Sequence, residues 1–362
     1  MTAPSDALPP AVSRAVIVGA GQAGLAVARA LMERGLRPQE DFHIIDAGGP
    51  ATLAWKRRWH SLTLFTPAWY SSLRGLKLPG DPGRYPRGAE IADYLDRYRD
   101  ELGLIPSWNV TARSVGPDPH GHGLVLTTNI GQTWTRNVVA ATGPFGAAQF
   151  PALAAAVRPP GVALHSGEYT HPNQVPRGSV LVVGAGSTGI QLARELSASH
   201  DVMISVGTQQ RRLPQGVLGV DIFRWLTITG LLTTSATTPL GRKIAARDAT
   251  VGPGIEDLRQ QGVRVLPRAV AGHGGEVEFD DGSRMSPDSV VWATGYRSGF
   301  EWLPSMVTTG ESASGLVHRG GSTPLKGLHV VGASWLRSRG SALIGGVSAD
   351  AERVAQTIAD SP

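Results

Sequence analysis

The chain has no cysteine among its 362 residues. This excludes disulfide bonds, thiolate metal sites and a redox-active C-x-x-C pair. Charged residues reach only 17%, against 41% hydrophobic ones, which excludes a disordered chain and allows sizeable cores. No apolar run approaches the roughly eighteen residues that a membrane helix needs, so no stable span is expected. The opening residues, MTAPSDALPPAVSR, lack the apolar segment of a secretory signal, so a soluble cytoplasmic protein is expected. No metal-ligand cluster and no nucleophile–base–acid triad stands out, and no metal is expected.

Glycine is abundant, at 46 residues, and falls at turn positions rather than in a collagen-like period. The length suits two or three domains. The net charge is +5, but the arginines are scattered and form no basic block. That pattern fits anionic dinucleotides better than nucleic acid, which is not expected as a partner.

Two stretches share one design. Ala15 to Val18 is a short apolar run suited to a buried parallel strand, and Gly19, Gly21 and Gly24 follow it. The first glycine permits a tight turn, the second lets a pyrophosphate approach the backbone, and the third lets a helix pack against the strand. The helix is predicted over Gln22 to Arg34, with Gly35 just beyond its end and its first residues, Gln22 and Ala23, facing the phosphates. A second strand, Phe42 to Ile45, ends at Asp46, roughly 22–25 residues past the glycines, where a ribose-binding carboxylate belongs.

The second stretch places Gly184, Gly186 and Gly189 after Val180 to Val183, with Ser187 and Thr188 opening the turn and a helix predicted over Ile190 to Ala198. Its following strand, Val202 to Val206, ends without an acid. Arg211 and Arg212 come soon after, and arginine there accommodates a 2′-phosphate that a carboxylate would repel. The pattern leans towards NADPH.

A second pair of echoes, VVAATGP at Val138 to Pro144 and VVWATGY at Val290 to Tyr296, marks an internal repeat of two related α/β units. Thr142, Gly143, Thr294 and Gly295 are added to the candidate cofactor contacts. Prolines 151, 159, 160, 172 and 176 surround the crossing between units. The fold class is therefore α/β, with two Rossmann-like dinucleotide-binding domains, one inserted into the other. The expected boundaries are 1–150 and 290–362 for the first domain and 151–289 for the second. The latter half of the first domain should hold a strand at Leu328 to Gly332 and a helix from Gly346 to Ala359. Residues 213–243 break the βαβ rhythm and are expected to form a lid over a substrate path, a dimer contact or an interfacial patch, with a buried helix as the plainer alternative.

The chain resembles the class B flavin monooxygenases, which include flavin-containing and Baeyer–Villiger monooxygenases and N-hydroxylases, and is most similar to their short bacterial type. Both cradles carry the resemblance. So do PPGVALHSGEY, with Gly161, His165 and Tyr169 in fingerprint positions, and WKRRWHSLTLFTP with GRYPRGAEIADYL downstream. The resemblance implies FAD in the first cradle and NADPH in the second. NADH stays open, because the family's Arg-Thr pair is Gly207-Thr208 here. Pro159 replaces the fingerprint's first aromatic, and Thr52, Leu53 and Ala54 replace a Gly-Gly before Trp55.

The resemblance further implies that Trp55, Phe65 and Thr66 lie beside the flavin, that the segment near Gly332 and Leu343 closes on it, and that His165 acts between the domains. Phe65, Thr66 and His165 are thus the candidate catalytic residues. The implied reaction passes hydride to FAD, forms a C4a-(hydro)peroxyflavin with O2, and inserts one oxygen atom into a small apolar sulfide, amine or ketone. A flavin reductase or oxidase without oxygen insertion, and a non-catalytic redox sensor, are the competing readings. A homodimer is expected only by analogy of fold.

Overall fold

The computed structural model describes residues 13–50, 54–121, 123–208, 211–308, 315–318 and 321–361. Residues 1–12 and the Thr52-Leu53 departure therefore lie outside the described residues.

The first unit opens with β1 (Ser13–Val18), α1 (Gln22–Met32) and β2 (Phe42–Ile45), then α2 (Gly88–Glu101) and the strands β3 (Ala112–Pro117), β4 (Leu124–Thr128) and β5 (Gly131–Ala140). The ten-residue β5 is the axis of a six-stranded sheet. It pairs in parallel with β1 along one side and antiparallel with β4 at the start of the other. α1 stops short of the predicted Arg34, and the chain turns at Gly35 with φ of 84°, the left-handed geometry that glycine tolerates.

The chain then passes through the short β6 (Ala147–Ala148) into the second unit: β7 (Ala163–His165), β8 (Ser179–Val183), α3 (Ser187–Leu196) and β9 (Asp201–Ser205). An insert of small elements follows: β10 (Arg212–Leu213), the hairpin β11 (Gly216–Val217) and β12 (Val220–Asp221), the helices α4 (Ile222–Ile228) and α5 (Pro239–Ala245), and β13 (Thr250–Val251). After it come α6 (Ile255–Gln260), β14 (Arg264–Leu266), a three-stranded antiparallel meander β15 (Ala269–His273), β16 (Glu276–Phe279) and β17 (Arg284–Met285), and then β18 (Ser289–Trp292). Strands β14, β9, β8, β18 and β7 form, in that order, an all-parallel sheet. Such sheets are covered on both faces, and β8, β9 and β18 are apolar and buried almost throughout for that reason.

The return runs through β19 (Tyr296–Arg297), α7 (Ser305–Thr308), β20 (Leu328–Val330) and α8 (Ile344–Asp360). β20 joins the first sheet beside the end of β5, and α8 packs along α1. The boundary expected at residue 290 is corrected here. β18 belongs to the second sheet because its run Ser289–Trp292 is fully buried between β8 and β7. The chain recrosses only after Trp292, where β19 pairs antiparallel with β6, so the two crossing strands are clasped together. No helix among the described residues is long and apolar enough to cross a membrane.

Candidate cofactor cradles and the site between them

The three glycines of each cradle are glycines for different reasons. Gly19 has φ of 115°, and a Cβ there would stand 2.5 Å from the Ala141 carbonyl oxygen. A Cβ on Gly24 would overlap the Gly19 carbonyl. Gly184, at φ of 108°, and Gly189 repeat this against the carbonyls of Ala293 and Gly184. These pairs fold the loop. They also explain the two Ala-Thr-Gly echoes, since the backbone leaving β5 and β18 presses on the turn after β1 and β8. The middle glycines differ. Gly21 has φ of −78° and Gly186 φ of −68°, both ordinary for any residue, and a Cβ on either meets nothing within 4 Å. The fold makes no demand for glycine there. A phosphate-bearing ligand does, because it must approach the backbone N–H groups at a helix N-terminus. Each cradle therefore fits a dinucleotide.

Around the first cradle, Asp46 accepts hydrogen bonds from Ala20 N–H (2.7 Å) and Gly48 N–H (2.9 Å). Burial pushes its carboxyl above the usual range, and these two bonds oppose the shift. Gln22 is a junction. It accepts from the Trp55 indole at 3.1 Å and donates to the Ala342 carbonyl at 3.0 Å, joining the Trp55 loop, α1 and the entrance to α8. Ala23 is buried in the first turn of α1, and Gly332 packs on it so closely that a Cβ would come within 2.6 Å. Thr142 and Thr294 lie on the cradle rims, but their hydroxyls donate elsewhere, to the carbonyls of Gly299 (2.6 Å) and Gln149. Gly143 and Gly295 make the left-handed turns that follow. Ser187 and Thr188 form the first turn of α3.

The aromatic loop links the two units. Trp59 is buried in the core of the second unit, and His60, rather than touching a cradle, stacks its ring 5.6 Å from His171. Phe65 packs with Phe223 of α4 at 6.0 Å, in a cluster with Tyr70, Leu226 and Leu343. The Phe65 carbonyl accepts from the Gln215 amide at 3.0 Å. Asp221 caps α4 through Phe223 N–H (2.7 Å) and accepts from the Tyr85 hydroxyl. The insert thus folds its apolar face onto the Phe65 loop. Thr66 is buried with its hydroxyl 2.8 Å from that of Ser71. Its polar atom is already engaged within the loop.

His165 is fully buried at the clasp. Its Nδ1 accepts from Gly167 N–H at 3.1 Å, which leaves Nε2 to donate to the Gly295 carbonyl at 3.0 Å. Burial holds its pKa below the ordinary value. With both ring nitrogens engaged by backbone groups, His165 ties the end of β7 to the turn that follows β18. The rest of the fingerprint is structural too. A Cβ on Gly161 would meet Ser289 Oγ at 2.5 Å, and the buried Tyr169 donates to Glu195 at 3.0 Å.

The two expected phosphate readers, Arg211 and Arg212, are placed differently from each other. Beyond the ends of β9 and β14 lies a cavity of about 680 Å³ lined by Gly207, Arg212, Ile255, Arg259 and Leu266. Arg211 is exposed and not among its walls. Arg212 is present, but its guanidinium spans the backbone carbonyls of Ala185 (3.1 Å) and Pro253 (2.5 Å). Its backbone is held by the pairing of β10 with β13. Sequence reasoning passed over Arg58, which donates to the Tyr296 hydroxyl at 3.3 Å and sits 4.2 Å over the Phe145 ring. It also passed over Arg268 beside Gly207. Arg58 lies within the WKRRWHSLTLFTP stretch but was hidden among its neighbours Lys56 and Arg57, and Arg268 lies in none of the quoted motifs.

Residues 16–217 match the family described as pyridine nucleotide-disulphide oxidoreductase. The chain belongs to that family. An uncharacterized CzcO-like oxidoreductase of Geobacillus kaustophilus is 37% identical over 341 residues, covering 93% of this chain and 95% of the relative. An indole-3-pyruvate monooxygenase of rice, YUCCA8, is 28% identical over 95% of this chain and 90% of its own length. A flavin monooxygenase structure from Stenotrophomonas maltophilia superposes with a TM-score of 0.77 at 27% identity, over 96% of this chain and 98% of that one. Within the family the chain is thus an oxidoreductase of the flavin monooxygenase type. Lacking cysteine, it cannot pass electrons to a thiol pair of its own.

Proposed function

We propose that the chain is an FAD-containing, NADPH-dependent monooxygenase that places one atom of O2 in a small apolar sulfide, amine or ketone and releases the other as water. The observation that carries this reading is the pair of middle glycines, Gly21 and Gly186, whose lack of a side chain serves a ligand and not the fold. FAD takes the first cradle, held by Gly19 to Gly24, the N-terminus of α1 and Asp46. NADPH takes the second, held by Gly184 to Gly189 and the N-terminus of α3. Bound FAD supplies hydride acceptance and the activation of O2.

The chain's own residues bind, orient and exclude water. Gln22 and Trp55 fix the first turn of α1 against the entrance to α8. The cluster of Phe65, Tyr70, Phe223 and Leu343 under the 213–243 insert forms an apolar cover, which suits an apolar substrate and protects a reactive site from water.

The test supplies holoenzyme with NADPH, isotopically labelled O2 and a panel of sulfides, tertiary amines and cyclic ketones. Label in the product of one class, with product matching NADPH consumed, is the expected result. Quantitative return of O2 as hydrogen peroxide with every class replaces this reading with that of an NADPH oxidase.

A further inference from the structure

We propose that Arg268, outside every recognisable motif, is the residue that reads the 2′-phosphate of the nicotinamide cofactor and so sets the preference of this chain for NADPH over NADH. The inference rests on the assignment of the second cradle to NADPH and deepens it.

Strands β14 and β9 are parallel, with Leu266 opposite Ser205. Continued past the strand ends, the same register sets Arg268 level with Gly207, and the bond from Val206 N–H to the Leu266 carbonyl (3.0 Å) extends it. The side chain follows. The Arg268 guanidinium lies so close over Gly207 that a Cβ on that glycine would stand 3.0 Å from Cζ. Its Nη2 donates to Thr208 Oγ1 at 3.0 Å. The place where a side chain at residue 207 would project is therefore filled by a cation arriving from the neighbouring strand. Glycine at 207 is what admits it.

The position is the one the chemistry needs. The ribose of a nucleotide lying across α3 faces the end of the second strand of the unit, which here is β9. The two arginines in the cavity walls are engaged. Arg212 donates to two backbone carbonyls, and Arg259 pairs with Glu256 at 3.0 Å. Among the described residues Arg268 forms no ion pair, and Thr208 accounts for one of its five N–H donors. A planar fork with donors to spare matches a dianionic phosphate. The Thr208 hydroxyl steers the fork and supplies a further polar group beside it.

The test compares two probes that differ only in the 2′-phosphate, 2′,5′-ADP and 5′-AMP, by calorimetry on FAD-loaded enzyme. Wild type is expected to bind 2′,5′-ADP more tightly. Arg268→Ala should weaken 2′,5′-ADP by about 10- to 100-fold while leaving 5′-AMP within about 2-fold, the loss typical of hydrogen bonds to a charged group. Arg268→Lys should recover part of the difference, having the charge without the fork. Raising the salt concentration should shrink the wild-type difference, because the site is exposed. Equal loss of both probes, or none, in Arg268→Ala overturns the proposal and leaves the cradle assignment standing. Wild type that binds both probes equally also overturns it, since no 2′-phosphate is then read. Wild type that binds neither removes the cradle assignment and the proposal together.

Discussion

Adding one methyl group to each of four glycines separates folding from cofactor binding. Gly21→Ala places a Cβ in open space on a backbone with φ of −78° and ψ of −172°, which alanine adopts freely. Losing glycine at a helix N-cap costs a few tenths to about 1 kcal/mol, and the stiffer unfolded chain returns about as much, so the apoprotein should melt within about 1 kcal/mol of wild type. The methyl nevertheless occupies the approach to the N–H groups of α1. Two charge-assisted hydrogen bonds lost at about 1.5–3 kcal/mol each weaken FAD binding by roughly 10²- to 10⁴-fold. Gly24→Ala makes the opposite case. Its Cβ overlaps the Gly19 carbonyl, so the turn itself must open and folding should fail with or without flavin. In the second cradle Gly186→Ala should keep its flavin but lose reduction by NADPH, and Gly189→Ala should unfold that unit. The assays are the flavin-to-protein ratio on purification, FAD titration of apoprotein, and melting by circular dichroism. A Gly21→Ala protein with wild-type flavin affinity refutes the argument from the middle glycine. A Gly186→Ala protein that loses flavin and keeps nucleotide binding shows the two cradles to be assigned in reverse.

Three further outcomes are expected. Burial lowers the pKa of His329 from 6.5 to about 4, so the unfolded chain takes up its proton first as the pH falls. Its contribution to stability is complete above about pH 6.5 and is lost between there and about pH 4, roughly 3 kcal/mol in all; urea titrations across that window should show a shallower slope for His329→Gln than for wild type. Phe223→Ala removes a ring only 1% exposed that stands 5.3 Å from Tyr70 and 6.0 Å from Phe65. It should cost about 3–5 kcal/mol and loosen the cover, read as more hydrogen peroxide per NADPH consumed. Trp55→Phe deletes the 3.1 Å bond to Gln22, and flavin affinity measured by titration should fall several-fold, for a loss of about 1 kcal/mol.

The parts of this fold most legible in sequence are those where one local cause fixes one local structure. β2 begins and ends where its apolar run does, at Phe42 and Ile45, and Asp46 follows it onto the cradle backbone. The glycine spacing locates both turns because two of each three glycines answer to steric contacts within the loop itself. The Ala-Thr-Gly echoes are visible as repetition, but their cause is a contact between the ends of neighbouring strands, which only the sheet order reveals. The misplaced boundary at residue 290 has the same origin. Val290 and Val291 suit a buried parallel strand in either sheet, and the register that assigns them to the second is a long-range choice between β8 and β7.

Side-chain roles proved less legible than backbone ones. Arg211 and Arg212 sit at a persuasive distance in sequence from the second cradle, but the turn into β10 directs Arg212 onto two carbonyls and leaves Arg211 outside the cavity. Arg268 carries no signal because its neighbour in space, Gly207, is far away in the chain and is marked only by lacking a side chain. A glycine where a cation was expected can therefore mark the space through which a cation from the adjacent strand enters. The same logic runs through His165, whose place in the fingerprint reflects the need to hold the Gly295 carbonyl at the crossing between units. In a two-unit protein, some of the residues that look most like chemistry are those that set one unit against the other.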